Sequence, residues 1–488
     1  MSARKRRDSS DRLDRYRAKR DFESTPEPAS SPEGDGASGR FVIQEHHARR
    51  LHWDLRLEHD GVLLSWALPR GVPPDPKRNN LAVHTEDHPL EYLDFEGEIP
   101  KGEYGAGTMR IWDHGTYEAH KLEDDEVIVT LHGDRARGRY ALFQTDGDNW
   151  MIHRMDAPED PTREPMPEHI APMLATLADL PRNEEKYAFE IKWDGVRAIA
   201  YVDGGRARFE GRRGNDITSR YPELRGLGAA LGATPAVLDG EIVAFDGERP
   251  SFERLQRRMH VSNDRAVRRL MGEVPVVYVL FDLLWLDGHS TISLPYRERR
   301  KLVDELGLQG ASWQTPATHE GDGGALLEAS RGLGLEGVVA KRLDSVYEPG
   351  RRSRAWLKVK NHCSQELVIG GWVPGQGMRA SLGALLIGYY ESTEPGARLR
   401  YAGRVGTGFT GTDIKRLLDL LEPLRRDTSP FTPKPRVKDA VFVEPELVAE
   451  VRFTEWTSAG VVRNPTYLGL REDSDPRQVV REEVVRDV

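Results

Sequence analysis

The feature that most restricts this chain is a change of hydrophobic period along its length. From Phe41 to about Asp156, short segments such as HWDLRLE, NLAVHTE and RYALFQT alternate apolar and polar residues, and Gly, Asp or Pro punctuates them. Alternation at period two buries one face of a strand. Many short strands with frequent turn residues make a small β-rich domain. From about Met173 to Lys360 the pattern mixes. AFEIKWDG, GVRAIAYV and RARFEG read as strands, with Asp203-Gly204-Gly205 as a tight hairpin turn between the last two. SRYPELRGLGAALG, FERLQRRMH and YRERRKLVDELG read as helices. This is an α+β pattern and not the regular βαβ repeat of a dinucleotide fold. After Asn361, ELVIGGWV, GALLIGYY, RLRYAGRVG and LVAEVRFTEWT read as strands, interrupted by one helix, TDIKRLLDLLEPL. A small barrel with one helix is what an OB-fold looks like.

The reading is a multi-domain α+β protein. A basic arm over 1–40, partly disordered, ends in the Ser/Pro/Gly-rich STPEPASSPEGDGASGR. A β-barrel domain over 41–156, a Pro-rich acidic linker over 157–172, an α+β domain over 173–361 and an OB-fold over 362–488 follow. Cys363 is the only cysteine, which excludes an internal disulfide and any cysteine-cluster metal site. A reducing cytoplasm is the simplest home. No apolar run approaches the roughly 20 residues that span a bilayer, so no membrane role is expected. The net charge of −9 argues against generic nucleic-acid binding. Basic clusters nevertheless occur in the first twenty residues and in RRGND, RLQRRMH, AVRRL and GRRSRAWLKVK. Local patches can hold phosphates on an acidic protein, because the Debye length is only about 8 Å at physiological salt. Each cluster alone is more simply a solvated face.

Lys192 lies in Glu190-Ile191-Lys192-Trp193-Asp194-Gly195-Val196-Arg197. Alternation sets Glu190, Lys192 and Asp194 on one face, and Ile191 and Trp193 on the other. A lysine amine attacks phosphorus only when neutral, so burial or nearby cations must lower its pKa. Trp356-Leu357-Lys358-Val359-Lys360 offers such cations. Lys358 and Lys360 share a face, where two ammonium groups would stabilise an α-phosphate and depress Lys192. The plain alternative is a strand that ends in a turn.

Further segments separate those readings. K-x-D-G-x-R at Lys192 resembles the first motif of the covalent nucleotidyltransferases, the ATP-dependent ligases and mRNA capping enzymes. In the same order come Gly211-Arg212-Arg213-Gly214-Asn215-Asp216, Leu238-Asp239-Gly240-Glu241, Leu280-Phe281-Asp282, Glu336 to Arg342 and Trp356 to Lys360. The resemblance implies that Lys192 forms a lysyl–AMP phosphoramidate, with Lys358 and Lys360 on the phosphates. It implies that Glu241 and Glu336 serve metal and ribose, that Phe281 holds the base, and that Arg197 and Arg212 contact ribose or the nick phosphate. Glu190 and Lys341 belong to the same nucleotide-binding set. EWTSAGVVRNPTYLGLREDSDP resembles the closing segment of bacterial ligase D proteins, whose final motif reads R-E-D-K. Here it is Arg471-Glu472-Asp473-Ser474, and the exchange of lysine for Ser474 weakens the expectation of efficient self-adenylation.

A second constellation lies near the start. In HWDLRL, His52, Asp54 and Arg56 face one way, and Trp53, Leu55 and Leu57 the other. His46 is close enough along the chain to be a third ligand. Two His and one carboxylate suit Mn²⁺ or a similar divalent ion. Arg56 would hold a phosphate bidentately, and His88 would supply a transition-state donor. Singly, each histidine is more simply a surface or satisfied residue; together they favour a site. The run from FVIQEHHARRLHWDLRLE to FEGEIPKGEYGAG resembles the 3′-phosphoesterase domain of ligase D, which trims 3′-terminal ribonucleotides and 3′-phosphates to a 3′-OH. By that resemblance His46, His52 and Asp54 bind metal, while Gln44, Arg56, His88 and Tyr92 act on phosphate or support the site. Arg20, Asp21 and Glu27, in RDFESTPEP, fold back over it.

The resemblances cover almost the whole chain, and no primase-like polymerase domain is matched. They imply an ATP-dependent DNA ligase with a 3′-end-healing domain, acting in double-strand-break repair by non-homologous end joining. The implied cofactors are ATP, Mg²⁺ or Mn²⁺ for the ligase and Mn²⁺ for the phosphoesterase. The implied partners are double-stranded DNA ends and nicks, Ku and a separately encoded polymerase, met by a monomer in the cytoplasm near the nucleoid. An RNA ligase, a capping-type nucleotidyltransferase, or an adenylation-poor DNA-binding scaffold are the alternatives. Labelling with ATP against GTP, and nicked DNA against RNA, separates them.

Overall fold

The computed structural model describes residues 12–29, 39–158, 160–259, 261, 263–375 and 382–485. Half of the expected basic arm, 1–11 and 30–38, lies outside the described residues. The fold is mixed α+β, with a β-barrel, a two-sheet α+β domain and an OB-fold in chain order.

The first domain is a nine-stranded sheet whose first strand, Arg40–His47, pairs with both Leu51–His59 and Gly107–Leu122. That double pairing closes a ring of eight strands and leaves only Gly97–Ile99 outside it. Closure removes the free strand edges that favour aggregation. Phe41, Ile43, Trp53, Leu55, Leu57, Trp66, Val129, Leu142 and Ile152 fill the lumen. The opposite strand faces carry a second apolar cluster, with Val42, Val62, Leu63 and Met109. The short helix Asp14–Ala18 covers it with Leu13 and Tyr16.

The α+β domain has two sheets. Leu174–Leu177, Tyr187–Ile191, His319–Glu320, Gly337–Arg342 and Arg352–Lys360 form one. The other is built mainly on Val196–Asp203, Arg206–Gly211, Ala236–Asp246 and Val276–Leu286. Ile199, Tyr201, Val237, Phe281, Tyr347 and Trp356 pack between them. The strand AFEIKWDG therefore stops at Ile191, earlier than alternation suggests, and residues 192–195 carry the chain from one sheet to the other. Gly195 permits this crossing: a Cβ there would stand 2.2 Å from the Ile242 carbonyl oxygen. The hairpin turn forms as expected, with Asp203 paired to Arg206 and both Gly204 and Gly205 at positive φ. The helix expected from SRYPELRGLGAALG is broken into two 3₁₀ turns, Thr218–Arg220 and Pro222–Arg225, and a short helix, Gly226–Leu231. Pro222 disfavours helical geometry at Tyr221, which splits the segment.

In the OB-fold domain a six-stranded sheet includes Ser364–Val373, Ala384–Tyr390, Leu399–Val405 and Val441–Arg452, and the helix Gly411–Leu421 packs Leu417 and Leu421 into its core. A capping box of Thr410 and Asp413 starts that helix. No helix of the described residues is long and apolar enough to cross a membrane.

Two candidate active sites

The first site lies on the outer wall of the barrel. His46 pairs across the ladder with His52, and Gln44 with Asp54, so one hairpin presents all four side chains. His46, His52 and Asp54 offer ligand atoms within 4.8 Å of one another. The His46 Nε2 donates to the Gly105 carbonyl at 2.8 Å, and the His52 Nδ1 to the Arg50 carbonyl at 3.0 Å. A carbonyl only accepts, so these bonds place a proton on each of those nitrogens and turn His46 Nδ1 and His52 Nε2 toward Asp54. Two imidazoles and a carboxylate so arranged fit a divalent transition metal. Burial alone would push the Asp54 carboxyl up. Arg56, helped by His46 and His52, overrides burial and holds it well below the usual carboxylate range.

Arg56 is buried, and each of its three nitrogens makes one bond: it donates to Gln44 Oε1 at 2.7 Å, Ser65 Oγ at 3.0 Å and Asp54 Oδ2 at 3.1 Å, which leaves two N–H groups for a ligand. Gln44 in turn donates to the Tyr92 and Phe95 carbonyls. The arm crosses the site, where Arg20 bridges Glu27 at 2.6 Å and Glu86 at 3.0 Å, and Tyr92 donates to Glu27. Asp21 is not brought in; it is exposed and shapes a turn through Glu23, Ser24 and Thr25. The structure also changes the expected part of His88. Its Nδ1 donates to the Glu86 carbonyl at 2.8 Å, and its Nε2 accepts from Arg20 at 3.3 Å. Burial, with Arg56 and Arg20 nearby, holds it neutral. Arg20, which His88 steadies, lines the same pocket as Arg56. Ser65, which shapes this network together with Glu86, carried no signal in the sequence.

The second site is the pocket between the two α+β sheets and the OB-fold. Glu190, Lys192, Arg197, Arg212, Glu241, Phe281, Glu336, Lys341, Lys358 and Lys360 all line it. Lys192 donates to Glu336 Oε2 at 2.5 Å, and Lys360 meets Glu336 Oε1 at 2.9 Å. Burial would raise Glu336, but those two lysines hold it well below the carboxylate range. The charge on Lys360 is thus shared with Glu336, where the sequence suggested an unscreened cation next to Lys192. Lys358 instead meets Glu482 at 2.7 Å, and burial lowers it to about 8.

Behind the lysine, Phe281 and Trp356 form an apolar wall, with Lys341 Nζ 4.2 Å from the Phe281 ring centre. Lys341 is buried, bonded to the Phe281 carbonyl and to Glu190, and Tyr296 also donates to Glu190. Glu190 and Lys341 therefore brace the wall. Arg197 is clamped by Asp239 at 2.6 Å through both nitrogens and lies over Phe281. Asp239, fixed also by Tyr347, opens the Asp-Gly-Glu segment whose Glu241 alone was singled out. Burial raises Glu241 to about 7. Carboxylates such as Glu241 and Glu336 suit Mg²⁺. Arg212 reaches across to the OB-fold, donating to Glu366 and Ser474 at 3.2 Å each, and Ser474 donates to Glu366 at 2.7 Å. Arg471 also leans on Glu366 and Asp194.

Residues 44–144 match the ligase D 3′-phosphoesterase domain, 172–360 the ATP dependent DNA ligase domain, and 378–474 the ATP dependent DNA ligase C terminal region. The multifunctional non-homologous end joining protein LigD of Mycolicibacterium smegmatis is 47% identical over 97% of this chain and 62% of its own length. That of Pseudomonas aeruginosa is 37% identical over the same shares. A solved mycobacterial DNA ligase D complexed with ATP and MES is 41% identical, covering 64% of this chain and 98% of that one, at a TM-score of 0.48. The chain thus spans about three fifths of the length of these end-joining relatives.

Proposed function

The chain belongs to the ligase D family, with a 3′-phosphoesterase domain joined to ATP-dependent DNA ligase domains, and on that premise we propose that it heals 3′ ends and seals them during non-homologous end joining. The observation that carries the ligase half is the convergence of Lys192, Lys358 and Lys360 on one pocket walled by Phe281 and Trp356. Adenine stacks on that wall and the triphosphate reaches the lysines. Lys192 Nζ, having given up its proton, bonds the α-phosphorus as pyrophosphate leaves. The adenylyl group passes to a DNA 5′-phosphate, and a 3′-OH then displaces AMP. Glu241 and Glu336 would hold a divalent cation, which would supply neutralisation of phosphate charge. Lys358, Lys360 and Arg197 orient the phosphates and ribose.

A blocked 3′ end stops the last step, and the barrel site removes the block. His46, His52 and Asp54 hold Mn²⁺ there, Arg56 and Arg20 grip the phosphate, and Gln44, Tyr92, His88 and Glu27 keep those arginines in place. The OB-fold and the adenylation domain hold double-stranded DNA mainly through phosphate contacts. Ku and a DNA polymerase are the expected partners of this monomer, near the nucleoid. The test is an ATP-labelling assay with sealing of nicked DNA that carries 3′-OH or 3′-phosphate. Labelled protein, direct sealing of the 3′-OH nick and Mn²⁺-dependent sealing of the 3′-phosphate nick are expected. A protein that never carries covalent AMP sinks the ligase reading.

A further inference from the structure

The segment after the Arg471-to-Ser474 motif does not end in the OB-fold. Val479 is buried in that domain's core, and Val480 bridges to Tyr390 and accepts from Gln365. The chain then leaves the domain. Val485 pairs in parallel with Ala178 at the edge of the lysine-pocket sheet, its N–H donating to the Leu177 carbonyl at 2.9 Å. Residues 479–485 are thus a strap from one domain to the other. Halfway along, Gln365 accepts the Glu482 N–H at 3.1 Å and turns the side chain into the pocket. There Glu482 Oε1 meets Lys358 at 2.7 Å and Arg352 at 3.1 Å. The other oxygen, Oε2, is buried without a hydrogen-bond partner among the described residues. A buried carboxylate with one oxygen free is costly unless it serves a purpose at the site.

We propose that Glu482 is a positioning residue of the ATP pocket: the strap carries it from the OB-fold, and it holds Lys358 and Arg352 aimed at the triphosphate. The inference rests on the ligase reading above. Lys358 is deeply buried; burial first, with Lys360 and Arg352, lowers it and Glu482 opposes them, leaving it at about 8. Glu366 faces the same ammonium from the strand Ser364–Val373. Without Glu482, Lys358 gives up its proton at a lower pH and swings free of its aim.

The experiment measures lysyl–AMP formation by the full chain across pH, comparing wild type with Glu482→Gln and Glu482→Asp. For Glu482→Gln, KM for ATP rises about tenfold near pH ~8.5 but only about threefold near pH ~6.5, with kcat changed less than about twofold. Glu482→Asp restores part of the loss. A wild-type KM and pH profile in Glu482→Gln overturns the proposal. So does a loss equal at every pH that Glu482→Asp fails to relieve, because that is a merely structural defect. Should Glu482→Gln fail to fold, Val485→Pro removes the strap's N–H without touching a charge and must also raise KM. A normal KM there overturns the proposal. A wild type that never forms lysyl–AMP fails earlier, and tells against the ligase reading itself.

Discussion

The two sites are built in opposite ways. The barrel site takes its three ligand side chains from a single hairpin, Arg40–His47 paired with Leu51–His59, and adds one strip of arm. The lysine pocket gathers Lys192, Glu241, Phe281, Glu336, Lys358, Arg471 and Glu482 from two sheets, an OB-fold and a strap. Their electrostatics differ accordingly. In the barrel, a cation and two imidazoles serve one carboxylate, Asp54. In the pocket, carboxylates and cations interlock across domains, as in Lys192–Glu336–Lys360 and Arg212–Glu366–Arg471. A local site depends on one ladder, whereas a distributed one depends on domains staying closed.

The strongest test of that difference is separability. Lys192→Ala should cut lysyl–AMP formation and sealing by about a thousandfold or more, and leave 3′-phosphate release intact. His52→Ala should do the reverse, as read by both assays on each protein. Loss of both activities from either change would mean that the sites are not independent. Chelation sharpens the contrast: it should stop 3′ trimming until Mn²⁺ is returned, while lysyl–AMP formed beforehand stays covalently bound, as seen on a denaturing gel.

A smaller effect separates the sites by pH. Glu241 titrates near 7 and binds a cation only as the carboxylate. Its protonated form prevails below that value, so at limiting Mg²⁺ adenylation should rise about fivefold between pH ~6 and pH ~7, about twofold more by pH ~8, and flatten above. Trimming should show no such step from Asp54, whose carboxyl stays ionised throughout that range. Arg20→Ala should lower trimming by about tenfold without altering adenylation, measured on a 3′-phosphate substrate. Smallest of all, Ser474→Lys should speed adenylation about threefold, because the side chain stands beside Glu366 and Arg212 where a cation adds to the pyrophosphate's surroundings. An unchanged single-turnover rate would show that Arg212 and Arg471 already suffice.

How far each site was legible follows from its construction. His52, Asp54 and Arg56 on one face, with Trp53, Leu55 and Leu57 on the other, is a consequence of the two-residue repeat, and the lumen cluster contains those three apolar residues. The pocket was legible only as ordered motifs. Nothing in a polar closing segment marks Glu482, 124 positions from Lys358, as its partner. Asp239 sat inside a quoted motif yet gave no sign that it clamps Arg197. His88 read as a donor because a sequence does not show which ring nitrogen is already occupied.

What the amino-acid order determined by itself is local: strand faces, the Gly204-Gly205 turn, and the identities of the lysine, histidine and carboxylate groups. Backbone period and side-chain chemistry are properties of short segments. Only the tertiary structure decided that residues 192–195 cross between sheets, that Glu336 is shared by two lysines, and that a strap from the OB-fold reaches Lys358. Those outcomes depend on which charges are brought within a few ångströms when distant segments pack, and Coulomb interactions fall off with distance in space, without regard to separation along the chain.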